Sequence, residues 1–318
     1  MAEIGQDIVK AKAILESGGL VGIPTETVYG LAGNALNPDA VAKIFAVKNR
    51  PDFDPLIIHT GSIAQISQYT LEIHPELEAL ANFFWPGPLT LLLPRRSIIP
   101  DLVTSGMDQV AVRVPQHELT RKLLGSLDFP LAAPSANPFG YISPTTAAHV
   151  DDQLGNLIPY ILDGGSCDVG LESTIVGVED GEIIIYRLGG IDVADIEQVV
   201  GPVRIMTHSS SNPKTPGMLK SHYAPKKPVI LGNIDQLLNL YKDEKIGILS
   251  FSKSYKREKN HQQYILSSEG NFTEAAKNLF TALRFLDQAD VSLILAELLP
   301  EEKLGRAIND RLRRASVT

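Results

Sequence analysis

The chain has 318 residues, more than one hydrophobic core usually holds, so two domains are expected. Hydrophobic residues at 44% and charged residues at 21%, with no low-complexity tract, exclude a disordered or fibrous chain. A formal charge of −8 speaks against gripping nucleic acid by broad phosphate neutralisation, although a few focused arginines can still hold a small anion.

The single cysteine, Cys167, allows no internal disulfide, and no Cys/His cluster has zinc spacing. The first residues are acidic and then amphipathic, and no apolar run approaches a membrane span, so a cytoplasmic protein without membrane contact is expected.

Along the chain, Ile4, Ile8, Ala11 and Leu15 recur at helical spacing, and Gly18-Gly19 end that helix before a strand at 20–23. Asn37 and Pro38 open a second helix, with Val41, Ile44 and Phe45 facing inward. Further strands are expected from Pro55, Leu89, Val110, Pro130, Tyr160, Ser173 and Glu182; several are apolar throughout, as strands covered on both faces are. Some follow one another too closely for a helical crossover, which predicts a mixed sheet. From 206 to 228 periodicity stops, in a stretch with four lysines, four prolines and no carboxylate, and reads as a linker. Strands at 228–232, 245–251 and 291–298 then alternate with helices, one carrying Ala276, Leu279, Leu283 and Leu286 on one face. The expected division is 1–205, linker 206–228, and a smaller α/β domain at 229–318.

No P-loop, dinucleotide fingerprint, kinase set or HExxH occurs, so ATP chemistry here needs another cradle. The densest polar cluster, 24–31 (PTETVYGL), follows a buried strand, where a ligand site and a hydrogen-bonded turn are both open. Lys48 and Arg50 follow a helix, lead to Asp54 and then to His59 at a strand edge. They either complement the helix dipole or join an anion pocket. Arg113 and Arg187 lie inside apolar strands, where each needs an anionic partner, from the protein or from a ligand. Small and hydroxyl residues at Ala133, Ser135, Asn137 and Ser143 permit close approach of a phosphate or base, and Ser173 offers a hydroxyl. No GxSxG marks a serine hydrolase, and Cys167 reads as structural. In the last helix Arg306, Arg311, Arg313 and Arg314 read most simply as a solvated face, with contact to a partner or the linker as the other reading.

Taken in order, PTETVYGL, KNRPxxxPL with His59, VAVRVP, APSAN, SPT, LESTIV and YRLGG make a chain that resembles the YrdC-type L-threonylcarbamoyladenylate synthases. PGMLKSHYAP and LGRAINDRLRRAS resemble the linker and added C-terminal domain of that family's long form, so the resemblance covers essentially the whole chain. It implies a YrdC-like α/β domain with a twisted mixed sheet and an open concave site, joined to a Rossmann-like domain. The implied reaction makes L-threonylcarbamoyl-AMP and pyrophosphate from L-threonine, bicarbonate or CO2, and ATP with Mg2+. The product would pass to a separate transferase that modifies the adenosine next to the anticodon in tRNA, so strong direct tRNA binding is not expected.

Carried over position by position, Thr27, His59, Arg113, Ala133 and Ser173 resemble threonine contacts. Arg50, Asp54, Gln109, Ser135, Asn137, Ser143, Arg187 and Tyr223 resemble ATP contacts, Tyr223 folding over the nucleotide with the linker lysines facing its phosphates. Lys48 and Arg50 are the implied catalytic pair, and since neither looks like a core residue, their replacement is expected to leave the fold intact. Asp54 departs from the family's more usual Asn, and its carboxylate either repels phosphate or recruits magnesium. A rival within the scaffold, carbamoyl adenylation of another acceptor, lacks the cysteines and length it needs; an RNA-binding or ribosome-associated module is disfavoured by the charge.

Overall fold

The computed structural model describes residues 1–206, 215–216, 222–255 and 261–317. Eleven of its strands form one sheet: β1 (Glu3–Gly5), β2 (Val21–Ile23), β3 (Gly30–Asn34), β4 (Ile57–His59), β5 (Leu89–Pro94), β6 (Gln109–Arg113), β7 (Leu131–Ala132), β8 (Tyr160–Leu162), β9 (Thr174–Glu179), β10 (Glu182–Arg187) and β11 (Arg204–Ile205). Their order is β1-β8-β2-β3-β7-β4-β6-β5-β9-β10-β11. Parallel and antiparallel pairs are mixed in it: β4 lies parallel to β6 while β7 runs antiparallel to β4, and the closely spaced β2 and β3, and β9 and β10, pair antiparallel as short connections require.

The first helix is shorter than the apolar spacing suggests. It spans Ile8–Glu16, because the Asp7 carboxylate accepts from the Lys10 N–H and caps it there. Ile4 therefore lies outside the helix, in β1 beside β8, and is 43% exposed. The second helix, Pro38–Lys48, is capped by the Asn37 side chain and ends at Asn49, whose left-handed φ of 51° turns the chain sharply between Lys48 and Arg50.

The remaining strands, β12 (Val229–Leu231), β13 (Ile246–Ser250), β14 (Gln262–Ile265) and β15 (Leu293–Ala296), form a parallel sheet in the order β12-β15-β13-β14. Parallel sheets need crossovers, and helices Ile234–Leu240 and Phe272–Gln288 supply those from β12 to β13 and from β14 to β15. This second body is not merely tethered. Val28, Ile142 and Leu171 of the first body share one apolar cluster with Leu279, Leu283 and Leu312 of the second. At Gly170 (φ 74°) an added Cβ would stand 2.4 Å from the Lys277 Cα, so the two main chains meet where only glycine fits. Polar contacts fix the seam: Tyr141 donates to Asp287 at 2.6 Å, and the Arg284 guanidinium donates to the Ile142 and Ser143 carbonyls.

Candidate functional site

β4 places Ile57 and His59 two residues apart, hence on one face of the sheet. Arg113 pairs beside His59 in the β4–β6 register, and the Ala133 N–H bonds the Ile57 carbonyl. With Thr27, Ser135, Glu172, Ser173 and Arg187 these residues floor and wall a cavity with about 540 Å³ of empty space. Arg50 closes one side, and Pro216, His222 and Tyr223, from between the two sheets, form the roof.

Three guanidiniums thus meet in one place, Arg50, Arg113 and Arg187, none more than 9% exposed. Each is aimed by the protein. Arg113 lies 2.7 Å from Glu26 and donates to the Thr27 hydroxyl at 2.8 Å, while Glu26 also accepts from the Gln116 N–H. Arg187 donates to the Ser173 carbonyl and hydroxyl, both at 3.0 Å, and to Pro216 O at 3.3 Å. Arg50 donates to the carbonyls of Asp54 and Pro55 and stands 2.9 Å from the Asp54 carboxylate. Among the described residues the only carboxylate on the cavity wall is Glu172, against three guanidiniums.

Burial tunes the titratable groups. It pushes His59 down to about 3, with Arg113 adding to the effect, so the imidazole is neutral at neutral pH. Burial, then the nearby cations Arg50 and Lys48, likewise holds His222 well below the usual histidine range. Tyr223 is pushed up to about 12, chiefly by burial, and stays protonated. Its main chain sits at φ 65°, a conformation that costs a non-glycine residue about 1–3 kcal/mol and is held here by packing against Phe280 and His222.

Of the fourteen residues singled out from the sequence, nine line this cavity: Thr27, Arg50, His59, Arg113, Ala133, Ser135, Ser173, Arg187 and Tyr223. Four more lie behind it. Lys48 is 1% exposed and donates to the carbonyls of Ser135 and Asn137, each at 2.5 Å. Lys48 and Arg50 are thus both buried, contrary to expectation, and burial holds the Lys48 amine well below the usual lysine range. Asn137 donates to Pro138 O and Tyr141 O, and Ser143 donates to Glu172 at 2.6 Å. Asp54, with no exposure, stands behind the wall as the ion-pair partner of Arg50. Gln109 belongs elsewhere: it starts β6, four residues before Arg113, and lines a different cavity with Glu72, His74 and Pro94, too far along the strand to reach the arginines.

The lysines of the interdomain stretch do not face the cavity where they are described. Lys226 is exposed, and Lys227 bonds the carbonyls of Asp287 and Ala289; Lys214 and Lys220 lie outside the described residues. In the last helix, Arg306 and Arg313 are solvated as expected, but Arg311 and Arg314 are buried. Glu26, Glu172, His222 and Arg311 were not singled out as site residues. Arg311 was legible in the periodicity, since it falls with Ala307, Ile308, Leu312 and Ala315 on the apolar face.

Residues 13–189 match the Sua5_yciO_yrdC family, described as telomere recombination, and residues 191–317 match the Sua5 C-terminal domain, described as the threonylcarbamoyl-AMP synthase C-terminal domain. The chain is 41% identical to a threonylcarbamoyl-AMP synthase of Pyrococcus abyssi, over 96% of this chain and 93% of the relative. It is 37% identical to one of Bacillus subtilis, over 97% and 92%. A crystal structure of P. abyssi Sua5 complexed with L-threonine superposes with a TM-score of 0.93 at 40% identity, covering 99% of this chain and 97% of that one.

Proposed function

The chain belongs to the Sua5/YrdC family of threonylcarbamoyl-AMP synthases, and we propose that its arginine-lined cavity is where L-threonine, bicarbonate or CO2, and ATP combine into L-threonylcarbamoyl-AMP and pyrophosphate. One observation carries the assignment to this cavity: Arg50, Arg113 and Arg187, buried in a chain of charge −8, converge on one space together with the hydroxyls of Thr27, Ser135 and Ser173. Buried guanidiniums that are compensated only in part are an anion site waiting for its anions.

Arg113, held from behind by Glu26, pairs with the α-carboxylate of threonine. The neutral His59 lines the threonine side of the cavity, and Thr27 and Ser173 fix the orientation. The threonine amine, as the free base, attacks CO2: the C–N bond forms as one C=O π bond opens to a carboxylate oxygen, and an N–H proton passes to solvent, leaving a carbamate. One carbamate oxygen attacks the α-phosphorus of ATP and pyrophosphate leaves with the electron pair of the broken P–O bond. Negative charge grows on the transferring and leaving phosphates, where Arg50 and Arg187 stabilise it. Lys48, whose amine is spent on two main-chain carbonyls, positions the 135–137 turn rather than touching the reacting atoms. Magnesium bound with ATP would neutralise charge on the phosphates, and Asp54, ion-paired with Arg50, is not assigned to it. The roof of His222 and Tyr223 excludes water from a mixed anhydride that water destroys.

We assign 1–205 to catalysis, 206–228 to a linker of which Pro216, His222 and Tyr223 line the cavity and residues 207–214 and 217–221 lie outside the described residues, and 229–318 to a supporting domain. A separate transferase then moves the threonylcarbamoyl group to tRNA in the cytoplasm. No described helix is long and apolar enough to cross a membrane. The test is pyrophosphate release with threonine and bicarbonate each present or omitted: release that needs both supports this reading, and no release from folded protein returns the RNA-binding alternative, which a salt-titrated tRNA assay then decides.

A further inference from the structure

Glu172 is an anomaly in an anion cavity. Its carboxylate stands on the wall beside Arg187, near enough to act on that guanidinium, and a bare carboxylate there would repel phosphates and draw Arg187 to itself. It is not bare. Arg311, fully buried on the helix Gly305–Ala315, reaches across the seam between the two bodies, with Nε and Nη2 each 3.1 Å from Glu172 Oε2. The other carboxylate oxygen accepts from Ser143 at 2.6 Å. Arg311 is itself fixed by Asp310 at 3.0 Å and lies under the roof, its guanidinium carbon 5.2 Å from the centre of the Tyr223 ring. The chain of contacts therefore runs from the C-terminal helix to the cavity wall and to the roof.

We propose that Arg311 is a positioning residue for ATP: by holding and neutralising Glu172 it leaves Arg187 available to the phosphates and seats Tyr223 above them, so the C-terminal body completes the nucleotide half of the site. The proposal rests on the functional reading above and deepens it. Arg311 touches no reacting atom. Its loss leaves an uncompensated carboxylate facing ATP, while Arg113 keeps its partner Glu26 and its place beside His59 on the side where threonine binds.

The test compares wild type, Arg311→Ala and Arg311→Ala/Glu172→Gln in pyrophosphate release, with direct ATP binding measured beside it. The expected result is a rise in KM and Kd for ATP on the order of tenfold or more in Arg311→Ala, little change in KM for threonine, and recovery of most of the ATP loss when Glu172 is neutralised. Equal weakening toward both substrates, or no recovery in the double variant, would leave Arg311 a purely structural residue and overturn the proposal. Should Arg311→Ala not fold, Arg311→Lys with and without Glu172→Gln gives the same comparison, and an ATP KM that neither change moves overturns it too. Wild-type protein that binds ATP and releases no pyrophosphate would count against the functional reading, while the ATP Kd of the variants still judges the Arg311–Glu172 pair.

Discussion

Changing His59 to Asn should flatten the pH dependence of stability between pH 7.5 and 5.0. His59 is buried, and burial followed by the adjacent Arg113 depresses its folded pKa to about 3. The unfolded chain, with a pKa near 6.5, takes up a proton in this window and the folded protein does not, so stability is lost as pH falls. One proton is worth about 1.36 kcal/mol per pH unit, so by pH 5.0 the loss through His59 is about 2 kcal/mol. For a body of this size that is roughly 4–8 °C in Tm. Urea unfolding of wild type and His59→Asn at both pH values reads the difference directly, because each variant is compared with itself and any absolute destabilisation cancels. The variant should lose about 2 kcal/mol less than wild type on acidification. An equal loss in both proteins would refute a neutral, buried His59. His222, depressed for the same reason, acts in the same direction, so His59→Asn/His222→Asn should be flatter still.

Lys48→Met keeps the volume but removes a buried donor from two carbonyls; the urea midpoint should fall by the equivalent of about 1–3 kcal/mol at unchanged m, and wild-type stability would contradict the buried clamp. Asp54→Asn removes the partner of buried Arg50 and should lower stability by about 3 kcal/mol without moving the magnesium dependence of turnover, whereas a shift of about tenfold in that dependence would make Asp54 a metal ligand. Gln109→Ala should leave the KM for ATP within about twofold of wild type, because Gln109 lines another cavity; a clearly larger rise would bring it back to the nucleotide.

The strands that carry the site were legible because their apolar runs are continuous and their polar residues stand out against them. Arg113 and Arg187 inside such runs demanded partners, and the structure supplies them as Glu26 and as the Ser173 and Pro216 oxygens. β3 was not legible, since its sequence GLAGN has two glycines and no alternation, and its place is set by pairing with β2 and β7 rather than by propensity. Ile4 shows the opposite failure: a position that fits a helical period is claimed by the edge of a sheet once Asp7 caps the helix later. Lys48 looked like an exposed end-of-helix cation, because nothing local announces that the 135–137 turn will fold over it from 87 residues away. Long-range burial of that kind is outside what periodicity reports, whereas Arg311 sat on an apolar stripe and was recoverable from it.

The most direct test of the central claim is to run the reaction with 13C-bicarbonate and identify the adenylate formed, in wild type and in Arg187→Ala. Threonylcarbamoyl-AMP carrying the label, abundant in wild type and reduced at least about tenfold in the variant, is the result predicted for a cavity in which the carbamate meets ATP beside Arg187. An unlabelled threonyl adenylate, or equal labelled product from both proteins, would contradict it.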